Sequence, residues 1–322
     1  MGLRPMNCPI KITVIVCTYN RSEVLKRAIE SLVSELPPTG CGWEILVVDN
    51  NSTDETRKVV GEFERRYPGL IRYCFEPRQG ISYVRNAGVQ SASGEIVAFL
   101  DDDETAGVGW LQNLTANLHG GEWAGAGGRI LPVAAFPLPH WLSANNDFTA
   151  GPLPSFDRGL DAGELREPPF GANMAFRREV FDKLGGFRTD LGRSGQELFS
   201  NEDTEFGRRL MRAGLRLRYE PSAVTYHPVY ESRLHKQYYL TWWFNKGRSD
   251  VREFGTNPAV NHVLGIPDKL LRSLVWQAAR WIVSLDPIQR FRWKMKMWNT
   301  IGQIVESRLL CLNAKQMRID AD

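Results

Sequence analysis

A chain of 322 residues with 43% hydrophobic and 24% charged side chains can hold one large domain, or a domain with an appendage, around a real core. The net charge of +3 is too small to mark a nucleic-acid binder, and no run approaches the ~20 apolar residues that span a bilayer. Five cysteines, odd in number and without CxxC spacing, support neither a zinc site nor a disulfide framework, and they fit a reducing cytosol.

The opening segment MGLRPMNCPIK lacks the apolar stretch of a signal peptide, so a cytoplasmic protein, free or peripheral on the cytoplasmic face of the membrane, is expected. The first predicted strand covers Ile12 to Cys17 and runs into Thr18-Tyr19-Asn20. Ser22 is placed to cap a helix in which Leu25, Ile29, Leu32 and Val33 recur at helical spacing. A second strand, Glu44 to Val48, ends in Asp49-Asn50-Asn51, and Ser52 with Glu55 has the form of a capping box for the next helix. A third strand, Ile71 to Phe75, precedes Gly80 and a helix from Ser82 to about Ser91.

The fourth strand, Ile96 to Leu100, is a continuous apolar run, the pattern of a strand buried on both faces of a parallel sheet. It stops at Asp101, Asp102 and Asp103. Ligands of open α/β sheets bind beyond the carboxyl ends of the strands, where these acids fall. Three adjacent carboxylates repel one another, and a hard divalent cation such as Mg²⁺ or Mn²⁺ offsets that cost. Strands alternating with helices, with acids at strand ends, predict a nucleotide-binding α/β domain with a mainly parallel sheet. No GxGxxG follows the first strand and no GxxxxGK[ST] occurs, which excludes the dinucleotide and P-loop fingerprints.

The segments VIVCTYNR (14–21), VVDNNSTD (47–54), VRNAGV (84–89), FLDDDE (99–104) and NEDTEFGRRLMRAG (201–214) resemble, in this order, the motifs of family 2 glycosyltransferases, across roughly residues 10–230. The resemblance implies the GT-A fold, a Rossmann-like nucleotide-diphospho-sugar domain. It implies residues 10–130 as the nucleotide-sugar half, 131–234 as the acceptor half, and 235–322 as a C-terminal helical extension. Asp49 would then accept a hydrogen bond from N3–H of a uracil, beside Thr18 and Asn20, and Arg85 would approach the diphosphate. Asp101 and Asp102 would lie on the nucleotide, with Asp101 at the ribose, while Asp103 and His227 would ligate Mn²⁺ or Mg²⁺. Asp203 would be the general base of an inverting displacement, with Glu202 next to it as the other candidate. Without the resemblance, Glu202 and Asp203 are acids in a favourable first helical turn, His227 is a structural histidine, and Asp49 with Asn50 only begins a turn.

Seven prolines between Leu131 and Phe170 mark an irregular segment, in which Trp141, Phe148 and Phe156 are candidate stacking surfaces for sugar rings. Phe170 to Phe176 reads as a strand that resumes the sheet, Asn201 to Ala213 as a helix, and Ala223 to Thr225 as a strand before His227.

Beyond His235 two helical stripes follow, one with Leu271, Leu274, Val275, Ala278, Trp281, Ile282 and Leu285, the other with Phe291, Met295, Trp298, Ile301, Val305 and Leu309. Basic residues flank both, a pattern that suits an anionic membrane surface or packing against protein. Gln277 to Trp281 matches the QxxRW motif of processive polysaccharide synthases but lies too far from the acidic motif, and is read as chance.

The expectation is a metal-dependent, inverting sugar transferase using a nucleotide-diphosphate sugar, with UDP as nucleotide, and a saccharide or lipid-linked saccharide acceptor. A sugar-1-phosphate nucleotidyltransferase would need a glycine-rich basic loop after the first strand, where CTYNRSE stands instead. A non-catalytic glycan-binding protein would have no use for Asp101, Asp103 and Asp203.

Overall fold

The computed structural model describes residues 10–142, 151–195, 197–256 and 260–319. The apolar runs form β1 (Ile10–Thr18), β2 (Gly42–Asp49), β3 (Ile71–Phe75) and β4 (Ile96–Asp101), alternating with α1 (Ser22–Val33), α2 (Thr56–Arg66) and α3 (Ile81–Ser91). After β4 come β5 (Thr105–Ala106), α4 (Trp110–Thr115), β6 (Gly125–Val133), β7 (Gly163–Glu164) and β8 (Asn173–Arg177). Then α5 (Glu179–Leu184), α6 (Glu202–Arg212) and β9 (Leu217–Pro228) complete this part of the chain.

The sheet runs β3-β2-β1-β4-β8-β6-β9-β5, with β7 beside β9. β3, β2, β1 and β4 are parallel neighbours, whereas β8 lies antiparallel to both β4 and β6. Side chains alternate across the sheet and feed a core on each face. Ile12, Val14 and Val16 of β1 pack with Leu25 and Ile29 of α1, while Ile15, Leu46 and Phe99 pack with Val84 of α3 and Phe206 of α6. The result is a mixed α/β sheet flanked by helices.

The chain divides into two compact units, one of residues 1–133, 154–189 and 202–229, the other of 134–153, 190–201 and 230–322. The second contains α7 (Lys236–Phe254), α8 (Asp268–Val283) and α9 (Pro287–Ile319). α7 and α9 cross backbone to backbone: a Cβ at Gly247 would strike the Asn299 carbonyl, and one at Gly302 the Phe244 carbonyl. Arg248 and Arg252 of α7 both bind Glu306 of α9, at 2.8 and 2.6 Å, and both lie over the Phe199 ring. Among the described residues no helix is long and apolar enough to cross a membrane.

Several local expectations need correction. Ser22 is the first helical residue of α1, not its cap, and its N–H donates to Asp54 Oδ2 from the loop after β2. Ser52 and Glu55 form no capping box, because the Ser52 hydroxyl accepts the Asn20 N–H and α2 starts only at Thr56, whose N–H reaches Asp54 Oδ1. The segment after Leu131 is not irregular throughout, since β6 extends to Val133 and Ile130 pairs with Phe156. Phe156 is 1% exposed, packed between Phe170 and Tyr219, so it is core and no sugar platform. Trp141 stands edge-on to Tyr239 and Phe291 in the helical unit; Phe148 lies outside the described residues. In the second C-terminal stripe Phe291 and Met295 are buried packing residues.

Candidate active site

The carboxyl ends of β1, β2 and β4 come together because these strands are parallel and in register, with Thr18 opposite Asp49 and Cys17 opposite Asp101. Asp49 is buried; its Oδ1 accepts the Ser52 N–H at 3.0 Å and its Oδ2 the Tyr73 hydroxyl at 2.8 Å. Two further lone pairs remain on such a carboxylate. Asn20, at φ 51, holds the two neighbouring loops together, its Oδ1 accepting the Thr53 N–H at 2.7 Å. Asn50 does the same for the next loop, donating to the Arg78 carbonyl and accepting from the Gly80 N–H.

Asp101, Asp103 and His227 each offer a ligand atom, and these atoms lie within 4.8 Å of one another. The order of the sheet explains the meeting: β5, the strand that follows the aspartates, pairs with β9, setting Thr105 opposite Tyr226 beside His227. The His227 Nδ1 is 2.9 Å from the Pro228 carbonyl. That contact uses Nδ1 as the donor and turns Nε2, the remaining ring nitrogen, to within 3.5 Å of Asp103 Oδ1. Two carboxylates and one imidazole, oriented by an outer-shell carbonyl, are a donor set that fits a divalent cation.

Asp102 is not in this cluster; it accepts the Thr18 hydroxyl and an Arg21 N–H, each at 2.8 Å. Arg21 also donates to Asp103 Oδ2 at 2.8 Å, so one guanidinium bridges two of the three aspartates. Burial pushes the Asp102 carboxyl up to about 7, with the Asp103 charge adding to the rise and Arg21 and Thr18 opposing it. Glu104, fully buried against Thr225, is raised well above the usual carboxylate range by burial and by Asp101 and Asp103. The site holds more negative charge than its arginines neutralise, which is the electrostatic condition for a cation.

Arg85 is buried, not on a free helix surface. Its Nη1 donates to Glu202 Oε1 at 2.8 Å, and its Nη2 lies 3.7 Å from Asp101 Oδ1. Burial disfavours its charge, but Glu202, Asp101 and Asp203 outweigh that and hold the guanidinium firmly cationic. Gly171 packs flat on it, where any side chain would collide with the guanidinium. The Gly171 N–H donates to Asp203 Oδ2 at 2.6 Å, and the Thr204 N–H to Asp203 Oδ1 at 2.6 Å. Asp203 stays partly exposed, while Glu202 is buried. The structure thus links Asp101 to the Glu202-Asp203 pair through one arginine. Arg21, Tyr73 and Glu104 had no role in the sequence reading; Arg21 could have been found from its place directly after the first strand end.

The sequence pattern described as "Glycosyl transferase family 2" matches residues 13–185, more than half of the chain. The chain is a family 2 glycosyltransferase. The succinoglycan biosynthesis protein ExoM of Rhizobium meliloti (strain 1021) is 31% identical over 76% of this transferase and 76% of its own length. The glucosyl-dolichyl phosphate glucuronosyltransferase of Haloferax volcanii is 28% identical over 70% of the chain and 71% of that relative. The fold of the transferase is similar to that of a mannosyltransferase from Pyrobaculum calidifontis solved with GDP-Man and Mn²⁺. Those two structures superpose with a TM-score of 0.59 at 20% identity, covering 95% of this chain and 88% of that one. GalNAc-T7, solved with UDP, GalNAc and Mn²⁺, gives a TM-score of 0.55 at 15% identity, over 92% of this chain and 57% of that one.

Proposed function

We propose that this transferase moves a sugar from a UDP-sugar to a hydroxyl of a saccharide or lipid-linked saccharide, with inversion at the anomeric carbon. The observation that carries this reading is the Asp101–Arg85–Glu202 chain. It sets a metal-type cluster of strand-end carboxylates one guanidinium away from a partly exposed carboxylate, Asp203. The acceptor class rests on relatives named for succinoglycan, dolichyl-phosphate and undecaprenol-linked glycans.

Asp49, Thr18 and Asn20 are assigned to the nucleoside, and Asp101 with Asp102 to the rest of the nucleotide. Asp101, Asp103 and His227 would hold Mn²⁺ or Mg²⁺, which stabilises the negative charge that gathers on the departing diphosphate. Arg85, paired on both sides inside the protein, acts by fixing Asp101 and the acidic pair rather than by reaching the diphosphate. Asp203 takes the proton of the acceptor hydroxyl as that oxygen attacks. Its two backbone donors, the Gly171 and Thr204 N–H groups, hold it in place. We assign the donor site to residues 10–130 and the acceptor site to 131–234. The working place is the cytoplasm, where nucleotide sugars meet a reducing milieu suited to the chain's cysteines.

Slow hydrolysis of a panel of nucleotide sugars, with Mn²⁺ and with EDTA, tests the reading. Mn²⁺-dependent release of UDP from one donor is the expected result. Release of GDP alone would overturn the assignment of uridine, and absence of any donor turnover or binding would overturn the donor class.

A further inference from the structure

Helix α8 is apolar on two opposite sides. On one, the buried Gln277 accepts the Thr300 hydroxyl of α9 at 3.1 Å and donates to Ser273, so this side packs within the helical unit. The other side carries Val275, Trp276, Ile282 and Val283, which remain 71%, 55%, 66% and 65% exposed, followed by Leu285 at 96%. A helix with apolar residues all round is ordinarily covered all round, and an exposed apolar face of this kind marks an interaction surface.

The charge around this face identifies its partner. Between residues 268 and 305 seven lysines and arginines stand against two acids, Asp286 and Asp268, the latter paired with Arg272. Lys269, Arg272, Arg280 and Arg290 are exposed. Arg280 lies 6.0 Å from the Trp276 ring centre and 5.4 Å from that of Trp293, and Arg290 lies 5.0 Å from that of Trp281. Indoles with cationic tips beside an aliphatic face suit the boundary between acyl chains and headgroups.

We propose that the outer face of α8 docks on an anionic lipid bilayer. Val275, Ile282, Val283 and Leu285 enter the acyl boundary, Trp276 lies at headgroup level, and Arg280 and Arg290 pair with lipid phosphates. The 16-residue helix lies in the plane of the interface. A second copy of the chain is the poorer occupant, because a twofold contact would set the arginines of one face against the same arginines of the other.

Flotation of the full-length protein tests this, with vesicles of phosphatidylcholine alone or mixed with phosphatidylglycerol, at low and high salt. The protein should float with the anionic vesicles only, and less at high salt. Arg280→Gln and Arg290→Gln should each lower partition about five-fold, the share of one cation at an anionic surface. The triple variant V275S/I282S/V283S, all exposed positions, should keep its circular dichroism and lose flotation. A wild-type protein that never floats, or a serine variant that floats like wild type, overturns the proposal. So does a lipid-free dimer that the serine substitutions dissociate, or wild-type capture by an acidic protein surface in place of lipid. None of these readouts uses a sugar donor, so the transferase reading stands or falls separately.

Discussion

Arg85 and Glu202 form a buried ion pair, 2.8 Å between Nη1 and Oε1, that ties α3 to the first turn of α6. The same guanidinium lies 3.7 Å from Asp101, so one side chain touches both the acidic pair and the strand-end aspartates. Arg85→Gln removes the charge and leaves Glu202 buried without its cation. Breaking a buried pair in this way costs about 3–5 kcal/mol, and thermal unfolding should show it. Gly171→Ala is the sharper probe, because the methyl group displaces the guanidinium without deleting it. Turnover of both variants should fall while the folded population is kept by working below the unfolding transition. A Gly171→Ala enzyme with wild-type turnover would refute the positioning role.

Asp103→Ala should abolish metal-dependent binding of a nucleoside diphosphate and leave the fold intact, since a strand-end carboxylate contributes little to either core. His227→Ala removes one of three ligand atoms and should lower Mn²⁺ affinity by more than the ~10–100-fold typical of outer-shell partners. Calorimetric titration of Mn²⁺ in the presence of UDP measures both. Unchanged, EDTA-insensitive binding in Asp103→Ala would sink the metal assignment.

The parallel half of the sheet was legible because its strands are buried on both faces and so appear as apolar runs ending in acids. β6 was not. Its sequence, GAGGRILPV, is rich in glycine because neighbours press on the backbone: Phe176 at Gly125, Pro169 at Gly127 and the Ala223 carbonyl at Gly128. Such crowding leaves no trace in side-chain periodicity. Capping failed at Ser22 and Ser52 for a related reason, since Asp54 reaches both helix starts from one loop and tertiary contact overrides the local pattern. On α8 the predicted stripe mixed two sides: Leu274 is partly covered, and Val275 and Ile282 face outward. The strand-end residues of the candidate site were found through their motifs, whereas the Arg85–Glu202 link joins residues 117 apart and required the fold.

Glu44 supplies a pH dependence with a definite sign. It is fully buried in β2, and burial alone would raise its carboxyl. Hydrogen bonds from Arg72, the Ser93 N–H and Thr13 outweigh that and hold it below its ordinary value of 4.5. A depressed folded pKa contributes stability above the ordinary carboxylate range that is lost as pH falls through the folded value. Glu44→Gln should therefore cost about 1.5–3 kcal/mol at neutral pH, the range for hydrogen bonds to a charged group. The gap to wild type should close in acid, below the ordinary value of 4.5. Melting curves across that window decide it, and a gap that widens in acid contradicts the assignment.

Gly302→Ala should loosen the crossing of α7 and α9, where the added methyl meets the Phe244 carbonyl and the backbones must part. Overpacking of this kind costs roughly 1–3 kcal/mol. Gly120→Ala, with open space at its Cβ, is the matched control and should leave the melting temperature unchanged. Equal melting temperatures for the two variants would mean that the crossing yields freely.

Asp203→Asn separates chemistry from donor handling. Asp203 is fixed by the Gly171 and Thr204 N–H groups and remains partly exposed, whereas its neighbour Glu202 is committed to Arg85. Asparagine keeps the size of the side chain but cannot accept a proton, and its amide nitrogen opposes one of the two backbone donors. The nucleotide contacts proposed for Asp49, Asp101 and the metal cluster are untouched, so UDP affinity should hold within about two-fold, a change of less than 0.5 kcal/mol. Turnover should fall by about 10²–10⁴, the usual contribution of positioned base catalysis. A lowered kcat with unaltered nucleotide binding marks a lost transition-state interaction. Glu202→Gln is the comparison: it empties the Arg85 pair and should lower thermal stability as well as rate. If Asp203→Asn transfers sugar at a near-normal rate, another carboxylate is the base, and Asp203 only anchors the Gly171 turn.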